Sequence, residues 1–364
     1  MPKTKAKAPI FFTAGPSKMN PKVKGYIADA LQKNIPSISH RGREFEKIYV
    51  KAETALRTLL KIPSTHHILF LASGNEGLER VIQNSVGRKS LHLVNGAFSK
   101  RFYDMALQYK KKPVKHEAAW GEGFALNTLH VESDIELIGL THNESATGVM
   151  TPISEIYKLA KANKHALVAI DVVSSVPYGS LDFRYLDYVI FSVQKGFGLP
   201  AGLGVVILSD RALAKSQVLK DSGVSIGSYH SFPKMMALAD RRQTPETPNV
   251  LNIYLLGRVA RDMIKKGVSR IKKETDAKAA LMYDFLDTSR RLTPFVHVRA
   301  LRSPTLIVVE TNNEAQKIIK KAKTHGFILG GGYGMNKISQ IRIANYPQHT
   351  LAEFKSLIKF LKSI

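Results

Sequence analysis

Short apolar runs alternate with amphipathic segments between about residues 66 and 209. Most runs are continuously apolar and rich in β-branched residues, which is typical of strands buried on both faces of a parallel sheet. The predicted strands are Ile68–Leu71, Leu91–Val94, Leu137–Leu140, Leu167–Val173, Tyr188–Val193 and Val205–Leu208. Segments with helical periodicity lie between them, at Glu76–Val86, Ser99–Tyr109 and Ser154–Lys164. This alternation predicts an α/β fold with a mostly parallel sheet.

The pattern changes after about residue 249. A long helical stretch, Asn249–Ser289, is interrupted near Gly267. It is followed by a strand, a helix, a strand and a last helix, predicted at Thr305–Glu310, Asn313–His325, Gln340–Tyr346 and Leu351–Leu361. We therefore expect a large domain over residues 15–250 and a small α+β domain that combines residues 1–14 with 251–364.

Composition narrows the class of protein. The 364 residues are 44% apolar and 23% charged, as in ordinary globular proteins. No run approaches eighteen apolar residues, and no apolar stretch follows the basic start, so neither a transmembrane helix nor a signal peptide is expected. Cysteine is absent, which excludes disulfides and cysteine nucleophiles and fits a cytoplasmic protein. The histidines show no metal-ligand spacing, so no metal site is predicted.

The net charge of +25 is unusual, with 54 lysines and arginines against 29 acidic residues. A basic balance can indicate nucleic acid, an acidic membrane surface or anionic small substrates. The basic residues form short clusters on predicted polar faces and turns, without a zinc-finger spacing or an arginine-rich tail. This distribution favours a solvated basic surface over a nucleic-acid or membrane site.

Polar segments follow several of the predicted strands, where ligands bind in open α/β sheets. Ala72–Gly77 opens a helix whose backbone amides could hold a phosphate, although a plain strand-to-helix turn is the alternative. Thr141–Ser145 follows another strand as a dense polar cluster. Asp171 ends a third strand and Lys195 follows a fourth. A buried carboxylate or ammonium is costly without a partner, although a capping aspartate and a solvent-facing lysine remain the simpler explanations for each residue alone.

Together these features form the arrangement that pyridoxal phosphate requires. The lysine forms a Schiff base with the cofactor, the aspartate keeps the pyridine nitrogen protonated, and helix amides hold the phosphate. We therefore predict a pyridoxal-phosphate enzyme with Lys195 and Asp171 as its catalytic residues.

Ordered motifs along the whole chain carry a resemblance to a known family. They are Phe12–Pro16, Ser39–Arg41 with Glu44-Phe45, Asn143–Ser145, Ser192–Gly196 and Thr244–Asn249. Through them the chain resembles the class V aminotransferases of fold type I, and most of all their phosphoserine aminotransferase branch. The resemblance implies a cytoplasmic homodimer with shared active sites, in which a large pyridoxal-phosphate-binding domain is joined to a small α+β domain.

The resemblance also implies roles for individual residues. The cofactor-binding positions are Gly74, Asn75, Glu76, Phe98, Ser145, Asp171, Gln194 and Lys195, together with Gln243 and Thr244, which would reach the phosphate of the neighbouring subunit. Phe98 stands where the family usually has a stacking tryptophan, and Ser145 stands where it has a threonine hydroxyl. Glu76 is expected to contribute its backbone amide and to direct its carboxylate away from the phosphate.

The substrate side departs from the phosphoserine pattern. His40, Arg41 and Arg342 match substrate-binding positions, and the arginine fork suits a carboxylate or a phosphate. The family's His-Arg pair before the last arginine is replaced by Gly330–Lys337, which looks more like the serine–pyruvate or alanine–glyoxylate branch. Lys337 could supply the missing charge.

Three functions stay open. The first is transamination of O-phospho-L-serine with 2-oxoglutarate in serine biosynthesis, and the second is transamination of serine or alanine with pyruvate or glyoxylate. The third is a basic nucleic-acid-binding protein on a degenerate scaffold, which the opposed charges of Lys195 and Asp171 disfavour. Gly223–Gly227 matches the GxSxG pattern, but a predicted helix precedes it, so it is not expected to be a nucleophile elbow.

Overall fold

The computed structural model describes residues 8–364. Its helices are α1 (Val23–Gln32), α2 (Arg43–Leu60), α3 (Gly74–Ser85), α4 (Ala97–Gln108), α5 (Ile153–Ala162), α6 (Asp210–Asp221), α7 (Phe232–Ala239), α8 (Val250–Lys266), α9 (Val268–Thr288), α10 (Ala315–Thr324) and α11 (Leu351–Lys362). Its strands are β1 (Ile10–Phe12), β2 (His66–Leu71), β3 (Lys89–Val94), β4 (Lys112–Glu117), β5 (Leu137–Thr141), β6 (Asn143–Glu144), β7 (Val149–Met150), β8 (Leu167–Asp171), β9 (Tyr188–Ser192), β10 (Gly204–Ser209), β11 (Thr293–Pro294), β12 (Leu306–Glu310), β13 (Phe327–Gly331) and β14 (Gln340–Ala344).

The large sheet has the strand order β2-β10-β9-β8-β5-β3-β4. Its strands are parallel except β10, which runs antiparallel to both of its neighbours, β2 and β9. Strands β5, β8 and β9 are buried along their whole length, because helices cover both faces of a parallel sheet. The predicted mostly parallel α/β architecture is confirmed.

The second sheet has the order β1-β13-β14-β12-β11. The N-terminal strand β1 pairs with β13 in parallel, with Phe12 opposite Leu329. Phe12 also belongs to a separate apolar core with residues of α9, α10 and α11. This pairing supports the proposed small domain of residues 1–14 and 251–364, of which residues 1–7 lie outside the described part of the chain.

The predicted helix break near Gly267 is confirmed. Helix α8 ends at Lys266 and α9 begins at Val268, while Gly267 has φ +84°, in the left-handed region that favours glycine. The GxSxG segment Gly223–Gly227 follows helix α6 and not a strand, as expected. Among residues 8–364, no helix combines the length and apolar character needed to span a membrane.

Some elements differ from the sequence prediction. Strand β4 was not predicted, because its sequence KPVKHE lacks an apolar pattern; it pairs only with β3, at the sheet edge. Strand β8 stops at Asp171 and not at Val173, because the backbone turns there and Val173 donates to the Asp171 carboxylate. Strand β13 was not predicted either; its Gly330 and Gly331 pair with Arg342 and Ile341 of β14.

Helix α3 lies tightly against the sheet through Gly77. A Cβ atom at this position would lie 2.8 Å from the Cγ2 atoms of Ile190 in β9 and Val206 in β10. Both partners sit in a close-packed core that yields little to an added methyl group. Gly77 therefore sets the distance between this helix and the strand that leads to Lys195.

We predict that Gly77→Ala lowers the free energy of unfolding by about 1–3 kcal/mol through overpacking. Gly25→Ala in α1 is the matched control, since nothing lies within 4 Å of the added Cβ. There, alanine should stabilise the helix by up to about 1 kcal/mol. Thermal unfolding of both variants measures the difference, and a Gly77→Ala melting temperature at or above that of the wild type would contradict the packing argument.

Candidate active site

A cavity of about 260 Å³ lies where the carboxyl ends of β5, β8 and β9 face strand β14 of the second sheet. The structure brings eight of the predicted residues together on its wall. They are Gly74, Asn75, Phe98, Ser145, Asp171, Gln194, Lys195 and Arg342. We refer to this space as the cofactor cavity.

Lys195 is buried in the loop after β9, and two hydrogen bonds hold its backbone carbonyl group. Its carbonyl oxygen accepts hydrogen bonds from the Gly198 amide at 3.0 Å and from Gln348 Nε2 at 2.9 Å. Its Nζ atom lies 3.4 Å from the Ser145 hydroxyl and 5.2 Å from the centroid of the Phe98 ring. The amine is thus held inside the cavity and faces an aromatic wall.

Glycines make room for Lys195 in two places. A Cβ atom at Gly15 would lie 2.7 Å from Cε of Lys195, and one at Gly196 would lie 1.9 Å from the carbonyl oxygen of Val176. The first contact places the Phe12–Pro16 motif directly over the lysine side chain. The second contact leaves no room for a side chain immediately after the lysine. This explains on steric grounds why glycine follows Lys195.

Asp171 ends β8 and is buried in the same cavity. One carboxylate oxygen accepts a hydrogen bond from the Val173 amide at 2.8 Å. Burial raises the pKa of Asp171 to about 6, although the positive charge of Lys195 acts in the opposite direction. Burial also lowers the pKa of Lys195 to about 8. Each group therefore lies nearer to its neutral form than it would in water, as is common where proton transfer occurs.

Glu144 positions the aromatic wall, a role that sequence reasoning missed. Its buried carboxylate accepts hydrogen bonds from the amides of Phe98 at 3.0 Å and Ser99 at 2.8 Å, at the N-terminus of α4. A negative charge is stabilised there by the helix dipole. A Cβ atom at Gly96 would lie 2.4 Å from Cγ of Glu144, so only glycine permits this contact. The pairing of Gly96 with Glu144 joins two distant motifs, which no local pattern could reveal.

Unpartnered polar groups in the cavity fit pyridoxal phosphate. Among the described residues, the Asn75 amide in the first turn of α3 has no hydrogen-bond acceptor, and the buried oxygens Thr141 Oγ1 and Asn143 Oδ1 have no partner. Buried polar groups are normally paired, so these three are suited to a polar ligand. The helix N-terminus suits a phosphate, Asp171 suits a protonated ring nitrogen, and Phe98 suits the face of a ring.

Four predicted residues lie elsewhere in the single chain. His40, Arg41, Gln243 and Thr244 do not line the cofactor cavity. Arg41 is exposed and donates to Gln243 Oε1 at 2.9 Å and to the Pro245 carbonyl at 3.3 Å. We refer to these four residues as the Arg41 cluster. A role for them in this cavity requires that a second copy of the chain supplies them.

Glu76 also faces away from the cavity, as expected for a carboxylate beside a phosphate site. It accepts a hydrogen bond from the Ala72 amide at 2.8 Å and contacts His230 at 2.7 Å. Its own amide donates to the N-cap hydroxyl of Ser73 at 3.1 Å. The free backbone amide of this turn is therefore that of Asn75, whereas the hydrogen bonds of Glu76 stabilise the turn itself.

Two cavity residues, Arg101 and Tyr333, were missed by sequence reasoning. Arg101 lies three residues after Phe98 in α4, so both side chains project from the same face of the helix. That spacing was the available signal. Tyr333 follows β13 of the second sheet and reaches the cavity from that side, where Arg342 of β14 lies beside it. Lys337, suggested as a substitute charge, is exposed and does not line the cavity.

Known proteins resemble this chain along most of its length. A family model described as aminotransferase class-V matches residues 10–332. The solved structure of a phosphoserine aminotransferase from Cytophaga hutchinsonii is 46% identical, covers 98% of each chain and has a TM-score of 0.96. A phosphoserine aminotransferase of Rhodococcus opacus is 26% identical over 343 residues, or 92% of this chain and 90% of its own length. An L-aspartate–glyoxylate aminotransferase of Paracoccus denitrificans is 35% identical over 193 residues, or 50% of this chain and 48% of its own length.

The raised pKa of Asp171 predicts a pH-dependent gain of stability in the cofactor-free Asp171→Asn variant. An acid whose pKa is raised in the folded protein loses stabilising free energy as the pH rises from its ordinary pKa of 3.8 to the folded pKa of about 6. The variant lacks this loss, so it should exceed the wild type by about 3 kcal/mol at pH 7.5. The gain should shrink towards pH 5. Thermal unfolding at both pH values measures it.

Asp187→Asn is the matched control for this prediction. Asp187 and Asp171 are both 6% exposed, but Asp187 accepts hydrogen bonds from Arg211, Ser209 and the Val168 amide. Its replacement breaks a buried charge pair and should destabilise the protein. Equal loss of stability in both variants would show that Asp171 is a structural carboxylate.

Proposed function

The chain belongs to the class V aminotransferases and is a pyridoxal-phosphate-dependent transaminase, and we propose that it transfers the amino group of O-phospho-L-serine to 2-oxoglutarate. Phosphoserine is the amino donor in the names of relatives that match nearly the whole chain. We propose further that the reaction serves serine biosynthesis in the cytoplasm, a reducing compartment with which the absence of cysteine agrees.

The proposed substrate is supported by the positive charge of the cofactor cavity. Three cationic side chains, Arg101, Lys195 and Arg342, line the cavity, whereas Asp171 is the single carboxylate among its described lining residues. O-Phosphoserine, glutamate and 2-oxoglutarate are each anionic at both ends. Two guanidinium groups in a partly dry cavity match such molecules better than they match serine or alanine.

The proposed roles of the residues follow from their positions. Pyridoxal phosphate, when bound, supplies an electron sink for the bond that breaks at the substrate Cα. The neutral amine of Lys195 accepts the Cα proton, for which a pKa of about 8 is well suited. Asp171 holds a proton on the ring nitrogen, Phe98 covers one ring face, and Ser145 Oγ orients the amine at 3.4 Å. Gln194 and the Asn75 amide bind on the phosphate side.

A second candidate is an aminotransferase that uses glyoxylate as the acceptor. The observation in its favour is the glycine-rich β13 with Tyr333 in place of a His-Arg pair. The relative from Paracoccus denitrificans, an L-aspartate–glyoxylate aminotransferase, aligns with 50% of this chain. Its amino donor is also anionic at both ends, so the cationic cavity does not discriminate between the two reactions.

Titration of the wild-type holoenzyme with amino donors tests the proposal. O-Phospho-L-serine, L-aspartate, L-serine and L-alanine are compared by the rate at which each changes the visible absorbance of the bound cofactor. We expect O-phospho-L-serine to exceed L-serine by at least about 100-fold in kcat/KM, because a paired charge left without its partner is costly. A preference for L-aspartate over O-phospho-L-serine would favour the second candidate, and equal rates with L-serine would reject the phosphorylated substrate.

We also propose that the enzyme is a homodimer in which each active site receives residues from both subunits. The Arg41 cluster supports this, because its four residues do not line the cavity of their own chain and Arg41 is exposed. Two-fold symmetry would place the cluster of each subunit at the cavity of the other. Arg41 would then add a further cation to the substrate site, while Gln243 and Thr244 would reach the cofactor phosphate.

Mixing of two inactive variants tests whether the sites are shared. Lys195→Ala and Arg41→Ala each remove one contributor, and a mixed dimer would hold one intact site only if Arg41 acts across the interface. Random reassembly should then recover about a quarter of the wild-type activity, since half of the dimers are mixed and each has one site. Lys195→Ala mixed with Asp171→Ala is the control, and no activity should return. No recovery with Arg41→Ala would show that the sites are not shared.

A further inference from the structure

We propose that Arg101 binds the anionic group at the side-chain end of the substrate, opposite the α-carboxylate held by Arg342. The inference rests on the proposed function, because it assumes an amino donor that carries two anionic groups. It assigns to Arg101 the charge that the chain lacks where related enzymes have a His-Arg pair.

The position of Arg101 fits this role. Its guanidinium carbon lies 5.1 Å from the Phe98 ring centroid, and the Lys195 amine lies 5.2 Å from the same centroid. Its nitrogens donate to Asn75 Oδ1 at 3.2 Å and to the Tyr333 hydroxyl at 3.1 Å. The guanidinium is therefore held against the same aromatic ring as the reacting amine by two neutral partners, and it remains free to pair with an anion.

Arg101 differs from most other half-buried arginines because it forms no ion pair with a carboxylate in the described part of the chain. Seven arginines of residues 8–364 are half-buried. Five of them form ion pairs with carboxylates, namely Arg57, Arg80, Arg242, Arg258 and Arg302. The other two, Arg101 and Arg342, have no carboxylate within 4.0 Å among the described residues, and both line the cofactor cavity. A partly buried cation normally has an anionic partner, so both arginines point to an anion supplied by a ligand.

Arg101 and Arg342 both contact Tyr333 at the wall of the cofactor cavity. The Tyr333 hydroxyl accepts a hydrogen bond from Arg101 at 3.1 Å, whereas the guanidinium carbon of Arg342 lies 5.6 Å from the centroid of the Tyr333 ring. Arg342 also donates to the carbonyl oxygens of Gly331 at 2.7 Å and of Ser145 at 3.1 Å, and the Ser145 hydroxyl contacts the Lys195 amine. This link to the reacting amine assigns the α-carboxylate to Arg342 and leaves the second anionic group to Arg101.

A second cavity supports the same assignment. It has a volume of about 750 Å³, includes Trp120, Phe295 and Met335 in its wall, and shares only Arg101 and Tyr333 with the cofactor cavity. These two residues therefore form the boundary between the two spaces. Arg101 therefore stands at the edge of the cofactor cavity, where the distal anionic group of a substrate bound at Lys195 could lie.

The test compares Arg101→Gln with the wild-type holoenzyme. The rates with O-phospho-L-serine, L-glutamate and L-aspartate are measured against the rate with L-alanine, and the dissociation constant of pyridoxal phosphate is measured separately. We expect the preference for the doubly anionic donors over L-alanine to fall by a factor of between about 10 and 1,000, mainly through KM. The affinity for pyridoxal phosphate should change less than threefold, because Arg101 contacts the Asn75 side chain and not its amide.

Two further variants control for charge and for folding. Lys115→Gln removes one positive charge beside the same helix, since Lys115 lies over Tyr103 of α4 and pairs with Glu117. Lys115 lines neither cavity, so the preference should be unchanged. Arg101→Lys keeps the charge but not the planar fork, and should recover part of the preference. A stable Arg101→Lys protein keeps the test decisive if Arg101→Gln does not fold.

Each outcome decides the inference. A retained preference in Arg101→Gln would overturn it while leaving the proposed substrate intact. Loss of pyridoxal phosphate affinity with an equal fall for all donors would assign Arg101 to the cofactor phosphate and overturn it as well. If the wild type prefers L-aspartate or L-glutamate but not O-phospho-L-serine, the proposed function fails, and the inference holds only if Arg101→Gln abolishes that preference. If no doubly anionic donor is preferred, both are wrong.

Discussion

The burial of an ammonium group and a carboxylate in one small cavity is the constraint on which the rest of this structure depends. Lys195 and Asp171 are brought together because β8 and β9 are adjacent and parallel, so both chains leave the sheet at the same edge. Burial raises the pKa of Asp171 and lowers the pKa of Lys195, so it favours the neutral form of both groups. The cavity is thus unfavourable for the protein alone and favourable for a ligand that brings a protonated nitrogen and anionic groups.

The close approach of backbone segments maintains this arrangement. Gly15 lets the N-terminal turn cover the lysine, Gly196 lets the following turn approach Val176, and Gly96 admits the carboxylate of Glu144. Each glycine accommodates atoms from another segment of the chain. Residues that lie far apart in the sequence are therefore needed together for one site.

The site lies where the two sheets meet. Lys195 and Asp171 lie at the strand ends of the large sheet and Phe98 and Arg101 in α4, whereas Arg342 lies in β14 of the second sheet and Tyr333 follows β13. The hydrogen bond from Arg101 to Tyr333 joins these two parts at the boundary of the cofactor cavity. A relative movement of the two sheets would change the distance between the two unpaired guanidinium groups, and hence the length of the substrate that can bridge them.

The sequence by itself determined the parallel α/β core, the helix break at Gly267 and the strand-end placement of Lys195 and Asp171, because apolar periodicity and glycine conformation are local properties. Tertiary structure alone decided the antiparallel direction of β10 and the edge strand β4, whose sequence lacks an apolar pattern. It also decided the support of α4 by Glu144 and the unpaired charge of Arg101. Whether a buried charge has a partner depends on side chains from distant segments, so no local pattern contains that information.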